Sequence, residues 1–435
     1  VSQWSGHTKE LYKPNMGITL FNCTNIIYAT GGPAGMYLTS VYPQSQTGGT
    51  GVAFEAGAKG INLTEWQYGI SSTKFRWNVS GTYQQVIPRY VSTDQNGCDE
   101  REFLNDYFKT PGQMMDAIFL KGYQWPFDPR KALDFGSSLI DILVYNEIEQ
   151  KGRRVFLDYI HNPLKWGDDN NELDFDLLGP EAYKYLENSD ALFGTPFQRL
   201  YKMNKPSVEL YKCNGIDLSK EYLEIAVCAQ HNNGGLSGNI WWESNLKHFF
   251  PVGEVNGTFG VYRPGGSALN STQVGSFRAA QYISTHYTNS PLNIDKFLSA
   301  SIQNIKKKIH MANTLTSNLS QYSNVLSMRT KIGHRMTKSA AHIRSLKGCE
   351  AAIRECLQDI KNFTDDIRLS SIEELPQAFR NRDILISQYV YLNAIVEYIL
   401  KGGKSRGSYI ISDKNGTLPQ TDLPDIFRFQ IDDGK

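Results

Sequence analysis

At 435 residues the chain is too long for one hydrophobic core, so two or three structural units are expected. With 40% hydrophobic and 20% charged residues and a net charge of +1, the composition is that of a globular protein, with no electrostatic reason to expect nucleic acid or an anionic membrane as a partner. Its 24 Tyr and 21 Phe suit large buried surfaces, or stacking on a flat ligand. Cys23, Cys98, Cys213, Cys228, Cys349 and Cys356 form no CxxC pair and no zinc spacing, so no metal site is expected. They are read as reduced, mostly buried thiols of a cytoplasmic protein.

In chain order, Ile18 to Thr30 predicts a β-hairpin, with ITLF and IIYA as strands around Asn22-Cys23-Thr24-Asn25. The second strand runs into the breaker cluster Gly31-Gly32-Pro33-Ala34-Gly35. Thr47-Gly48-Gly49-Thr50-Gly51 then precedes VAFEAGA, whose small residues suit a helix packed closely against a sheet. From 61 to 225 the pattern is irregular, with one clear buried strand at Arg154-Val155-Phe156-Leu157. Residues 226–290 return to glycine-rich strand–turn–helix chemistry. From 291 onward apolar residues recur every three or four positions in three stretches: Ile294 to Ile309, Ile353 to Phe363 and Leu385 to Ile399. Three amphipathic helices imply a small bundle, and the polar tail beyond Gly407 reads as an extended strap. The most apolar late stretch, Asp383 to Leu400, carries Asp383, Gln388, Asn393 and Glu397, which excludes a membrane helix.

Two segments carry chemistry. In Asn25 to Gly32 an apolar strand ends on Ala29-Thr30-Gly31-Gly32, where the missing side chains let backbone approach a ligand, although a tight turn reads the same way. In Val252-Gly253-Glu254 a strand delivers a carboxylate suited to sugar or ribityl hydroxyls. The following glycine-rich loop, Arg263-Pro264-Gly265-Gly266, leads to a helix expected to start near Asn270-Ser271, its positive end free for an acceptor.

The order ATGG, TGxTG with EAGA, VFLDY, QHNNGG, VGE, RPGGSALNS and SRG resembles the succinate dehydrogenase/fumarate reductase flavoprotein family, which also holds L-aspartate oxidase and adenylylsulfate reductase. The resemblance implies an α/β FAD-binding domain (residues 1–60 and 226–290), interrupted by an α+β capping domain (61–225) and followed by a C-terminal helical domain and tail (291–435). It assigns Ala29, Thr30, Gly31, Gly32, Thr47, Gly48, Gly49, Gly253, Glu254, Asn270 and Ser271 to the cofactor, FAD. Ser405-Arg406-Gly407 matches a late family motif expected to be structural or interface-forming.

The chain also departs from the family. No GxGxxG occurs, and the chain opens on Val1, so the polypeptide is expected to begin upstream, with FAD belonging to the complete protein. Gly69 stands where dicarboxylate-reducing members carry a histidine, and their Arg-Gly-Glu-Gly is replaced by Ser80-Gly81-Thr82-Tyr83. His231, Arg263 and Arg89 are the substrate-side candidates: histidine as hydrogen-bonding or proton-relaying group, arginine as carboxylate clamp. The expected function is hydride exchange between flavin N5 and a small carboxylate-bearing substrate. The alternatives are a flavoprotein subunit relaying electrons to an iron–sulfur partner, or a non-catalytic scaffold derived from such a protein.

Overall fold

The computed structural model describes residues 2–4, 16–164, 172–317 and 319–432. Its largest sheet has five antiparallel strands in the order Trp77–Asn78, Trp66–Ser72, Leu223–Asn232, Arg154–Asp158 and Arg89–Thr93. Only one clear strand, Arg154-Val155-Phe156-Leu157, is expected from the sequence between 61 and 225. The Trp66–Ser72 strand, second in this order, is buried at every position yet carries Gln67, Ser71 and Ser72, so it shows neither alternation nor an apolar run.

The expected hairpin does not form. Ile26–Tyr28 pairs in parallel with Phe249–Pro251, while Ile18–Leu20 pairs antiparallel with Ser2–Trp4. Tyr28, which precedes the glycine cluster, is thereby aligned with Pro251, which precedes Gly253-Glu254. The helix read from VAFEAGA spans Thr50–Glu55, and its tight contact is with another helix rather than a sheet. A Cβ on Gly51 would lie 2.1 Å from the Asp383 carbonyl oxygen, and Asp383 Oδ1 accepts the Val52 N–H at 2.7 Å.

Beyond residue 291 the three predicted helices are Ile294–Ser317, Leu346–Lys361 and Leu375–Leu400; a fourth, Val325–Ala340, has buried Arg335 and Thr337 on its inner face. Ser345 caps the second by accepting the Gly348 N–H at 3.1 Å. The expected strap contains a strand, Ile410–Thr417, paired in parallel with Ile343–Arg344. Between these units lies Arg344, 1% exposed, which donates to the carbonyls of Ala341 and Thr64 and stacks 3.8 Å from the Tyr409 ring. The thiols are not mostly buried: Cys228, Cys349 and Cys356 are, whereas Cys23, Cys98 and Cys213 are exposed. Among the described residues no helix is long and apolar enough to cross a membrane, and no group of metal-ligating side chains is assembled.

Candidate active site

The parallel pairing brings the two glycine-bearing strand ends together. Gly31 has φ +70°, and a Cβ on Gly32 would lie 2.8 Å from Glu254 Oε1, so only glycine lets the carboxylate close over the backbone. Glu254 sits in the short turn Gly253–Val255; its Oε1 accepts the Asn232 N–H at 2.7 Å and the Tyr42 hydroxyl. Burial pushes its pKa up to about 7, against the pull of the Asn232 and Gly32 N–H groups and of Arg263.

Thr47, Gly48 and Gly49 fold back onto the same strand end. The Tyr28 hydroxyl donates to the Gly49 carbonyl, Gln46 Nε2 to the Thr30 carbonyl at 2.8 Å, and a Cβ on Gly48 would meet Pro33 Cα at 2.7 Å. Ala29 is exposed beside them. The helix expected to begin near Asn270-Ser271 begins at Ser267, because Gly266 takes a left-handed conformation (φ 79°) and turns the chain in earlier. The Asn270 N–H therefore already bonds the Gly266 carbonyl at 3.3 Å, and the Ser271 hydroxyl pairs with Thr258 at 3.0 Å. This helix still lies beside the turn, since a Cβ on Gly253 would touch Thr272 Cγ2 at 3.7 Å.

Of the candidates expected from the sequence to face substrate, Arg263 donates through Nε at 2.9 Å, and through Nη2, to Gln67 Oε1. Gln67 faces His231 across the sheet register. His231 Nδ1 lies 3.0 Å from Asn233 Oδ1, and its ring meets Phe259 edge-on at 4.8 Å. Burial, helped by Arg263, lowers the His231 pKa to about 4, so the imidazole is neutral at ordinary pH.

Arg89 does not join this group. It makes ion pairs with Glu100 (2.8 Å), Glu102 (2.6 Å) and Asp158 (3.0 Å). Asp158 follows Leu157, which pairs with Leu223, and the run from Leu223 to His231 is about 26 Å at 3.3 Å per residue. Arg89 therefore belongs to the opposite end of the sheet and is a structural residue.

Two residues outside the sequence motifs pack beside this cluster. Tyr42 reaches Glu254 from a loop with no motif of its own. Trp125 explains Gly69: a Cβ there would lie 2.5 Å from the indole Nε1, which donates to Gln230 Oε1. An aromatic ring thus occupies the space into which a side chain at position 69 would project. The glycine was a visible signal for such a filler, but its partner, 56 residues on, was not.

No family model matches the sequence. Over 204 residues the chain is 28% identical to an uncharacterized FAD-dependent oxidoreductase of Methanocaldococcus jannaschii, covering 46% of this chain and 35% of that protein. Over 215 residues it is 28% identical to a fumarate reductase (CoM/CoB) subunit of Methanothermobacter marburgensis, covering 47% and 36%. A solved quinol–fumarate reductase chain superposes with a TM-score of 0.60 at 17% identity, over 90% of this chain and 61% of its own. The fold is that of the fumarate reductase and succinate dehydrogenase flavoproteins. The chain spans about a third of the curated relatives it matches. Against that flavoprotein architecture, the cluster around Gly32, Glu254, His231 and Arg263 lies where two separate stretches of sequence meet, and the five-stranded sheet supplies its floor.

Proposed function

We propose that this is a cytoplasmic FAD-dependent oxidoreductase acting on a small carboxylate-bearing substrate. In this reading residues 1–60 and 226–290 hold the cofactor, 61–225 form a lid over it, and 291–435 brace both. The observation that carries it is the meeting of Gly31-Gly32 with Glu254 beside Arg263 and a neutral His231. FAD fits these residues on one count: the buried Asn233 amide nitrogen has no hydrogen-bond partner among the described residues. A ring carbonyl is a group that would satisfy it, with Glu254 as acceptor for ribityl hydroxyls. When bound, FAD supplies the hydride chemistry.

The chain's own residues bind and orient. Arg263 is held in one plane by Gln67, which presents the rest of its fork to a carboxylate. With Asn233 Oδ1 as acceptor, His231 Nδ1 carries the ring proton and Nε2 is left to accept one from substrate. Glu254, titrating near neutrality, can hold or release a proton beside the cofactor as its charge changes. Arg130 stacks 4.2 Å over the Tyr262 ring, tying the lid to the loop that carries Arg263.

The test is a visible spectrum of the full-length protein, followed by reoxidation of its dithionite-reduced flavin by a panel of small unsaturated carboxylates. Bound flavin that one of them reoxidises, with KM raised at least about tenfold in Arg263→Gln, supports the reading. A colourless protein that cannot be reconstituted with FAD overturns it in favour of a scaffold. The relative from Methanothermobacter is named as one subunit of an enzyme, so co-purification of an iron–sulfur protein with the full-length chain would extend the proposal to an electron-transfer complex.

A further inference from the structure

Ser405-Arg406-Gly407 touches neither strand end of the cofactor site, yet its contacts converge on the substrate side from behind. Glu65 is wholly buried, and its Oε1 accepts from Arg406 Nη2 (2.9 Å) and Nε (3.1 Å), the Thr64 hydroxyl (2.7 Å) and the Tyr409 hydroxyl (3.2 Å). The backbone carbonyl of the same residue accepts the N–H groups of Asn233 (3.1 Å) and Gly234 (3.0 Å), which form the turn after His231. Asn233 in turn fixes the imidazole. A second line reaches Arg263. Ser408 Oγ accepts the Tyr68 N–H at 2.9 Å, next to the Gln67 that holds the guanidinium. Gly407, at φ +57°, lies against Val261; a Cβ there would be 3.3 Å from the Val261 carbonyl and 3.0 Å from Glu65 Oε2.

We propose that Arg406 is a positioning residue: through Glu65 it fixes the His231–Gly234 turn, and with Gly407 and Ser408 it holds the Gln67–Arg263 pair. This rests on the reading of His231 and Arg263 as substrate-side groups. The physical reason is the buried carboxylate. Glu65 keeps its place at the turn only while a cation compensates it, and Arg406, stacked 4.6 Å over Tyr398, is the cation supplied. A catalytic group displaced by about 1 Å costs about 100-fold in rate, so a brace of this kind acts on turnover without touching substrate.

The test uses the full-length, FAD-loaded protein with Arg406→Gln, Arg406→Lys and the neutral pair Arg406→Gln with Glu65→Gln. Two readouts are taken: deuterium exchange in the peptide spanning 231–235, and reoxidation of the dithionite-reduced flavin by fumarate as probe. Arg406→Gln should keep its FAD, exchange the Asn233 and Gly234 amides about tenfold faster, and lose about 100-fold in kcat with KM within about threefold, with partial recovery in Arg406→Lys. The neutral pair removes the uncompensated charge, so it should regain melting temperature without regaining turnover; should Arg406→Gln fail to fold, the pair carries the test alone. Unchanged exchange at 233 and 234, or turnover that returns with melting temperature in the pair, overturns the proposal. A wild-type flavin that none of the unsaturated carboxylates reoxidises counts against the functional reading, while the exchange rates still judge the brace.

Discussion

Arg89 and Gly32 show how differently a motif residue and an isolated charge are read from sequence. Arg89 compensates Asp158, which is 0% exposed and whose Oδ1 also accepts the N–H groups of Ile160 and His161. Burial works against the Arg89 charge, but Glu102, Asp158 and Glu100 more than offset it and hold the guanidinium above its ordinary range. Arg89→Ala strands a buried carboxylate and should cost about 3–5 kcal/mol in urea unfolding, while the flavin spectrum of the folded fraction stays that of the wild type. Gly32→Ala acts on the cofactor as well. Its Cβ would press on Glu254 Oε1 at 2.8 Å and on Asn232 Cβ at 3.0 Å, so FAD should bind at least about tenfold more weakly in flavin titration of the apoprotein, with an overpacking cost of about 1–3 kcal/mol in urea unfolding. Gly32 was legible because a strand ending in two glycines has a local physical meaning. The role of Arg89 was not, because an arginine's partners (here 11, 13 and 69 residues away) leave no local trace.

The same division holds for whole elements. The helices Ile294–Ser317, Leu346–Lys361 and Leu375–Leu400 were legible because part of each faces solvent and the 3.6-residue period survives. Val325–Ala340 was not, since Arg335 is buried against Asp359 and blurs its apolar stripe. The strand Ile26–Tyr28 was legible as a strand but not in its pairing, because its partner Phe249–Pro251 comes more than 200 residues later and nothing local distinguishes a hairpin strand from one awaiting a distant neighbour. The packing of strand Trp66–Ser72 against the Trp125 loop was likewise invisible, and it yields a prediction. Gly69→His alone should clash with the indole and destabilise the protein, whereas Gly69→His with Trp125→Ala vacates the space for the imidazole. The double-mutant cycle should therefore return a favourable coupling of about 0.5–3 kcal/mol in urea unfolding. Strict additivity of the two changes would mean that the indole does not occupy the space above Gly69.

At the scale of the molecule, buried titratable groups give its stability a pH dependence; besides Asp383, whose pKa burial raises to about 6 and which acts in the same sense as Glu254, three of them oppose one another. His342 lies among the rings of Tyr68, Phe127 and Tyr145; burial, helped by Lys121, lowers its pKa to about 3, as burial lowers that of His231 to about 4. Below the ordinary histidine value of 6.5 the unfolded chain takes up two protons that the folded one refuses, so these groups make stability fall as pH drops from 6.5 toward 4. Glu254 acts oppositely. Its folded pKa of about 7 exceeds the ordinary 4.5, so between those values the folded state holds a proton the unfolded chain has released, and stability from this group is lost as pH rises. Each group contributes a slope of about 1.4 kcal/mol per pH unit within its window. Across pH 4.5 to 6.5, where all three windows overlap, Glu254→Gln should therefore raise the slope of unfolding free energy against pH by about that amount. His342→Phe, which keeps an aromatic ring in the same cage, should lower it by about that amount. Urea midpoints of the apoprotein at three pH values in this range measure both. Because one change steepens the profile and the other flattens it, a general loss of stability cannot imitate the pair, and parallel profiles for both variants would mean that neither group titrates as its burial requires.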